Sequence, residues 1–183
     1  LWCEELEKAF SGTKSSGSTD GGTTSRVFGA FLTWLQEKTK AVFVVATAND
    51  VTQLPPELLR KGRFDELWFV DLPNERERES IWKLVIERHG RDEEQFDVTQ
   101  LARITDGFTG SELEAAFTEA MFLAYERDRE PTDLDIAAVL NAFVPLAKQM
   151  AEQITGLRQW AKGRARLATS PAAPERRLRK LAA

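Results

Sequence analysis

"AVFVVATAND", residues 41–50, begins with seven apolar or β-branched residues and ends in Ala-Asn-Asp. A run of this kind, with no polar alternation, predicts a strand buried on both faces, as in a parallel sheet covered by helices. Working outward from it, "LWC" (1–3) reads as an earlier strand ending in Glu4 and Glu5, and "ELWFVDLP" (66–73) as a later one. Between the first two, "RVFGAFLTWLQEK" (26–38) sets Val27, Phe28, Phe31, Leu32 and Leu35 at helical intervals. Between the second and third, "LPPELLRKGRFD" (54–65) carries a short helical piece around Pro56–Arg60, with Pro suited to a first helical turn. Strand, helix, strand, short helix, strand is the order of an α/β fold, here with three parallel strands.

The pattern changes at Pro73 and Asn74, after which four helices are expected. "ERESIWKLVIERHG" puts Ile81, Leu84, Val85 and Arg88 on one stripe. "VTQLARITDGF" gives a short helix ending near Gly107. "TGSELEAAFTEAMFLAYERD" opens with two overlapping capping boxes, Thr109 with Glu112 and Ser111 with Glu114. "PTDLDIAAVLNAF" turns Ile136, Val139, Leu140 and Phe143 inward. The expected organisation is an α/β part over 1–73, a small all-α domain over 74–145, and a C-terminal helix with a basic, unstructured tail over 146–183. Residues 11–25 are nearly all Gly, Ser, Thr, Lys and Asp, a composition that buries no core and reads as a loop.

Bulk composition narrows the function classes. The longest apolar runs are far short of a membrane span, and the first residues lack a secretory pattern. One cysteine (Cys3) and one histidine (His89) exclude a disulfide framework and argue against a protein-only zinc site, so a reducing compartment, the cytoplasm or a plastid stroma, is expected. The net charge is −4, but eight basic residues stand against Glu175 alone from Arg158 onward, which leaves a tail of about +7 on an acidic body. No aromatic residues interleave with that basic stretch, so nucleic-acid stacking is unsupported.

In open α/β sheets, ligands bind at the C-terminal ends of the strands. Glu4 and Glu5 end the first strand, and Thr47 and Asn49 end the second. Paired carboxylates there suit a Mg²⁺ held through water and an attacking water polarised by the second acid, with an Asn amide orienting a phosphate or that water. Each residue also has a plainer reading. In it the acids are a solvated strand end, Asn49 caps a turn with Asp50, Arg60 and Arg63 pair with Glu57 and Asp65 on the surface, and "GFTGSE" is only a helix start.

"LWCEELEKAF", "VVATAND", "LPPELLRKGRFDE" and "GFTGSELEAA" stand in the order found in AAA+ ATPases, and "LRKGRFD" is the most telling. Over about residues 1–143 the chain resembles the C-terminal part of a AAA module: an incomplete parallel P-loop-type sheet followed by an all-α lid. The "FLTWLQEK" helix, the Gly/Ser loop and the "PLAK…GLRQWAKGRAR" ending look most like the AAA proteins of chloroplast genomes and cyanobacteria. The resemblance implies ATP and Mg²⁺ as cofactors, Glu5 as the catalytic Walker B carboxylate, and Glu4 in place of the usual Mg²⁺-associated Asp. Glu4 is one methylene longer, which moves its oxygens out by roughly 1 Å. It implies Asn49 as the γ-phosphate sensor, Arg60 and Arg63 as fingers offered in trans, and Gly110 and Ser111 beside adenine and ribose. A homo-oligomeric ring acting on a protein partner follows, with residues 11–25 facing its pore.

No G-x-x-x-x-G-K-[ST] loop occurs in the sequence. The expectation is therefore of a fragment that does not hydrolyse ATP alone, with an inner sheet edge lacking neighbours and marginal stability. The alternative is a non-hydrolysing scaffold of AAA shape.

Overall fold

The apolar segments at residues 1–3 and 44–46 meet as neighbouring strands. In the computed structural model, which describes residues 1–10, 21–60 and 62–169 (without the side chains of 21–25), β1 (Trp2–Cys3) and β2 (Val45–Ala46) pair in parallel. Trp2 lies opposite Val45 and Cys3 opposite Ala46. The Val45 N–H donates to the Leu1 carbonyl and the Thr47 N–H to the Cys3 carbonyl, both at 2.9 Å. Between them run α1 (Leu6–Phe10) and α2 (Gly21–Glu37), the helical crossover that parallel strands require. The expected pore-facing loop at 11–25 and the basic tail fall, for residues 11–20 and 170–183, outside the described residues.

Leu6, Phe10, Leu35, Leu54 and Leu58 form the core of this first unit, with Phe10 edge-on to Phe28 at a ring distance of 4.9 Å. The "AVFVVAT" run is covered less fully than its composition predicts. Val44 and Ala46 pack on the core while Phe43 is 84% exposed, and Val27 of α2 is exposed too.

The third strand, β3 (Trp68–Phe69), does not join β2. It pairs instead with β4 (Arg166–Leu167), so the three strands expected in one sheet occur as members of two two-stranded pairings. An apolar run identifies a strand but not its partner, and a strand edge must be satisfied by whatever backbone reaches it. Arg166 donates its N–H to the Leu67 carbonyl at 2.9 Å, pairs with Glu66 at 3.1 Å and lies over the Trp68 ring. β4 sits in the stretch that its basic composition assigns to a solvated tail.

The chain divides into two compact units: residues 1–68 with 159–166, and residues 69–158 with the described residues from Leu167. The sequence pattern changes at Pro73 and Asn74, five residues beyond this division. The second unit contains α3 (Glu75–Arg88), α4 (Val98–Ile104), α5 (Gly110–Tyr125) and α6 (Asp133–Ala142), followed by α7 (Leu146–Gln149) and α8 (Ala151–Ala161), whose last residues belong to the first unit.

Caps explain where these helices start. Asn74 and Glu77 form a reciprocal box at α3, and Thr109 and Glu112 form one at α5. The overlapping Ser111–Glu114 box does not form, because Thr109 is the N-cap and Ser111 already lies inside the helix; Glu114 pairs with Arg88 at 3.0 Å instead. The buried stripe of α3 is Arg78, Trp82, Val85 and Ile86, whereas Leu84 is 60% exposed and Arg88 is exposed. Trp82 decides the phase, since the largest apolar side chain is fully buried and its indole N–H finds Thr105 Oγ1 at 3.3 Å. Gly107 has φ +81°, and a Cβ there would meet Ala147 Cβ at 3.3 Å, so the turn into α5 favours glycine. Among the described residues no single helix is long and apolar enough to cross a membrane.

Candidate functional site

The ends of β1 and β2 are tied into one corner. The Leu6 N–H donates to the Thr47 carbonyl at 2.8 Å, and the Glu5 N–H donates to Thr47 Oγ1 at 3.2 Å. Glu5 has φ +49°, the left-handed region that a glutamate adopts at a cost of order 1–3 kcal/mol. The Thr47 hydroxyl above it and the Lys8 N–H, which donates to the Glu5 carbonyl at 2.8 Å, hold that conformation.

This bend turns the Glu5 side chain toward Asn49. Asn49 Nδ2 donates to Glu5 Oε1 at 3.1 Å. The structure therefore brings the two residues together from positions 44 apart in sequence. The plainer reading, in which Asn49 caps a turn with Asp50, is not what the fold makes: Asp50 alone caps, accepting from the Thr52 N–H and hydroxyl and from Gln53 Nε2.

Lys8 approaches Glu5 at 2.7 Å from Oε1 and 2.8 Å from Oε2, and the hydrogen bond to that carboxylate holds the Lys8 ammonium charged above its ordinary range. The Lys8 side chain is 69% exposed, so the pair is solvent-screened and weak. Glu4 is exposed and its Oε1 accepts the Trp2 indole N–H at 3.0 Å, while Trp2 itself is exposed. Among the described residues no three His, Cys, Asp or Glu side chains converge as a metal cluster. One outward-facing carboxylate fits a Mg²⁺ that keeps most of its shell as water and phosphate oxygen, and does not fit one caged by protein.

Arg60 follows the 3₁₀ turn Pro56–Leu59 and is exposed. Arg63 is half-buried, and its Nε and Nη1 are buried with no hydrogen-bond partner. Neither makes an ion pair with Glu57 or Asp65.

The second unit holds a cavity of about 900 Å³, lined in part by Leu72, Pro73, Ile81, Thr109, Gly110, Ile154 and Leu157. Gly110 is the first residue of α5, with Ile81 at 3.9 Å from where its Cβ would stand, whereas Ser111 is exposed and does not line the cavity. Thus Glu5 and Asn49 are brought together with Thr47, Glu4 lies beside them facing Trp2, and Gly110 and Ser111 belong to the other unit.

Sequence reasoning missed Glu7 and Lys8. Glu7 is only 4% exposed, and its Oε1 accepts the Asn49 backbone N–H at 3.1 Å. Both residues lie in an ordinary-looking first helical turn, where acids and lysines are expected in solvent, and no periodicity marks them.

Residues 1–72 match the family described as ATPase family associated with various cellular activities (AAA), and residues 95–138 match the AAA+ lid domain. The chain is 48% identical over 171 residues to the AAA domain-containing protein ycf46 of Pyropia yezoensis, covering 92% of this chain and 34% of that protein. It is 35% identical over 99 residues to the proteasome-activating nucleotidase of Methanosarcina mazei, covering 54% of this chain and 23% of the relative. The chain thus spans about a third or less of the length of these relatives. Among solved structures, the FIGL-1 AAA domain in complex with ADP superposes with a TM-score of 0.68 at 19% identity, over 90% of this chain and 57% of that one, a likeness of fold.

Proposed function

Because the chain belongs to the AAA family of ATPases, we propose that it carries the water-activating and sensing half of an ATP hydrolysis site. The observation that carries this reading is the Asn49 amide on the Glu5 carboxylate at 3.1 Å, at the shared C-terminal end of two parallel strands. Glu5 orients an attacking water and takes its proton as the water adds. Asn49 holds the carboxylate with one amide hydrogen and keeps the other for a phosphate oxygen or the same water. Lys8, exposed and weakly paired, leaves Glu5 when water takes its place.

Bound ATP and Mg²⁺ supply the phosphoryl group and the charge that neutralises it. Glu4 would hold the ion through water, and Gly110 and Ser111 would contact the base and ribose. Arg60 and Arg63 are offered to a neighbouring copy's nucleotide; the exposure of Arg60 supports this, whereas Arg63 has to turn its buried Nε and Nη1 outward to take part. A finger of this kind is worth about 10³–10⁵ in rate. That arrangement requires head-to-tail copies, closing as a homo-oligomeric ring. The whole protein then couples hydrolysis to remodelling of a protein partner, in the cytoplasm or a plastid stroma, with residues 11–25 at the pore.

The phosphate-cradling loop that binding requires is not among these 183 residues. We expect phosphate release from residues 1–183 alone to stay at background. In the intact protein, Glu5→Gln should lower hydrolysis by about 10²-fold or more. Equal rates for the intact protein and that variant would remove Glu5 from the reaction. They would also favour the second reading, a non-hydrolysing scaffold, which draws its support from Glu4 standing against Trp2.

A further inference from the structure

Two anchors hold the segment that carries Asn49. On one side Thr47 is bonded to Cys3, Glu5 and Leu6. On the other, Asp50 caps the 3₁₀ turn Val51–Gln53. Between them the Asn49 N–H has one acceptor, Glu7 Oε1, at 3.1 Å. Glu7 is 4% exposed, and its second oxygen, Oε2, is buried with no partner.

Burying a half-satisfied carboxylate opposes folding. An acid in the first turn of α1 suits the helix N-terminus, but that gives no reason to bury it. What the acid adds is an acceptor, rigidly placed two residues from Glu5. It fixes the Asn49 backbone at the distance from which the Asn49 amide reaches the Glu5 carboxylate.

We propose that Glu7 is a positioning residue that clasps the Asn49 backbone N–H and so keeps the Asn49 amide on Glu5. This rests on the reading of Glu5 and Asn49 given above. Glu7 is too deeply buried to meet a nucleotide, so it acts through Asn49 alone.

Two isosteric variants separate the roles an acid might have here. Glu7→Gln keeps one acceptor without charge, and Glu7→Met keeps the volume without either. In the intact protein, a clasp predicts that the Asn49 amide exchanges about tenfold faster in Glu7→Met, stays within about threefold of wild type in Glu7→Gln, and leaves α3 amides unchanged in both. For hydrolysis, kcat should fall about 10–100-fold in Glu7→Met, with KM within about threefold, and recover in Glu7→Gln. Adding Asn49→Ala to Glu7→Met should cost less than Asn49→Ala costs the wild type, since the clasp acts through the Asn49 amide.

Wild-type behaviour of Glu7→Met would reduce Glu7 to packing, and equal losses in both variants would mean that charge is what matters; either outcome overturns the proposal. Should Glu7→Met fail to fold, Glu7→Gln alone decides: Asn49 exchange and kcat near wild type uphold the clasp, and a loss of either overturns it. Should wild-type protein show no Glu5-dependent hydrolysis, the functional reading fails, while the exchange comparison still decides the clasp.

Discussion

The first unit packs Leu6, Phe10, Leu35, Leu54 and Leu58 beside a pair of two-residue strands, whereas among the described residues the second closes fourteen buried residues around Trp82 and Phe117. The second also seals its polar ends. Arg78 is buried against the Ala102 and Pro73 carbonyls with Asp106 at 3.1 Å, and Asp135 receives Arg129 through two bonds of 2.6 Å. The unit with the proposed site is thus, among the described residues, the one with the thinner apolar core, and its corner is held by directed hydrogen bonds. Helices satisfy their own backbone, so a helical unit needs only an apolar face to close on. Parallel strands need neighbours on both edges and cover on both faces.

The strongest way to break this contrast is dissection. Residues 74–145 made alone should give a cooperative, reversible urea transition, whereas residues 1–68 alone should give a broad one or aggregate. A sharp transition from 1–68 would show that its strand pair is self-sufficient. Next in size is Trp82→Ala, expected to cost about 3–5 kcal/mol by urea denaturation of the intact chain. Leu58→Ala in the first unit should fall near the lower end of the roughly 2–5 kcal/mol range for leucine, because its surroundings relax more freely. Equal costs would mean that the two cores are equally tight.

The smallest effect concerns Asp135. Its hydrogen bond from Arg129 holds the carboxyl well below the usual carboxylate range, against the opposing effect of burial. The folded pKa lies under the unfolded one, so the contribution is present above about pH 4 and is lost as pH falls below it. Asp135→Asn should cost about 1.5–3 kcal/mol at pH 7 and flatten the acid limb of stability against pH. An unchanged acid limb would place the stabilising interaction elsewhere.

The four lid helices were legible because their starts are chemical and local. Thr109 with Glu112 can be read four residues at a time, and an amphipathic stripe repeats over several turns. On α3 the expected stripe holds at Ile81 and Val85 and fails at Leu84 and Arg88, because spacing alone does not choose between Leu84 and Trp82 or Ile86; packing against Thr105 and its neighbours does. β4 was invisible, since two residues carry no period and "ARLA" lies in a basic stretch. At the site, Glu4, Glu5 and Asn49 stood out as polar residues ending apolar runs. Glu7 did not, because burial of an acid in a short helix is a property of what surrounds it.

By itself the sequence determined the order of strand, crossover and strand, the helical lid and its caps, and the residue types at the strand ends. All of these depend on contacts within a few residues along the chain. Only the tertiary structure decided which strand β3 meets, which face of α3 is inside, and that the Asn49 amide and backbone are taken by Glu5 and Glu7 respectively. The last of these joins residues more than forty positions apart at the strand-end corner, where no local preference acts and the need to satisfy each buried donor and acceptor selects the partner.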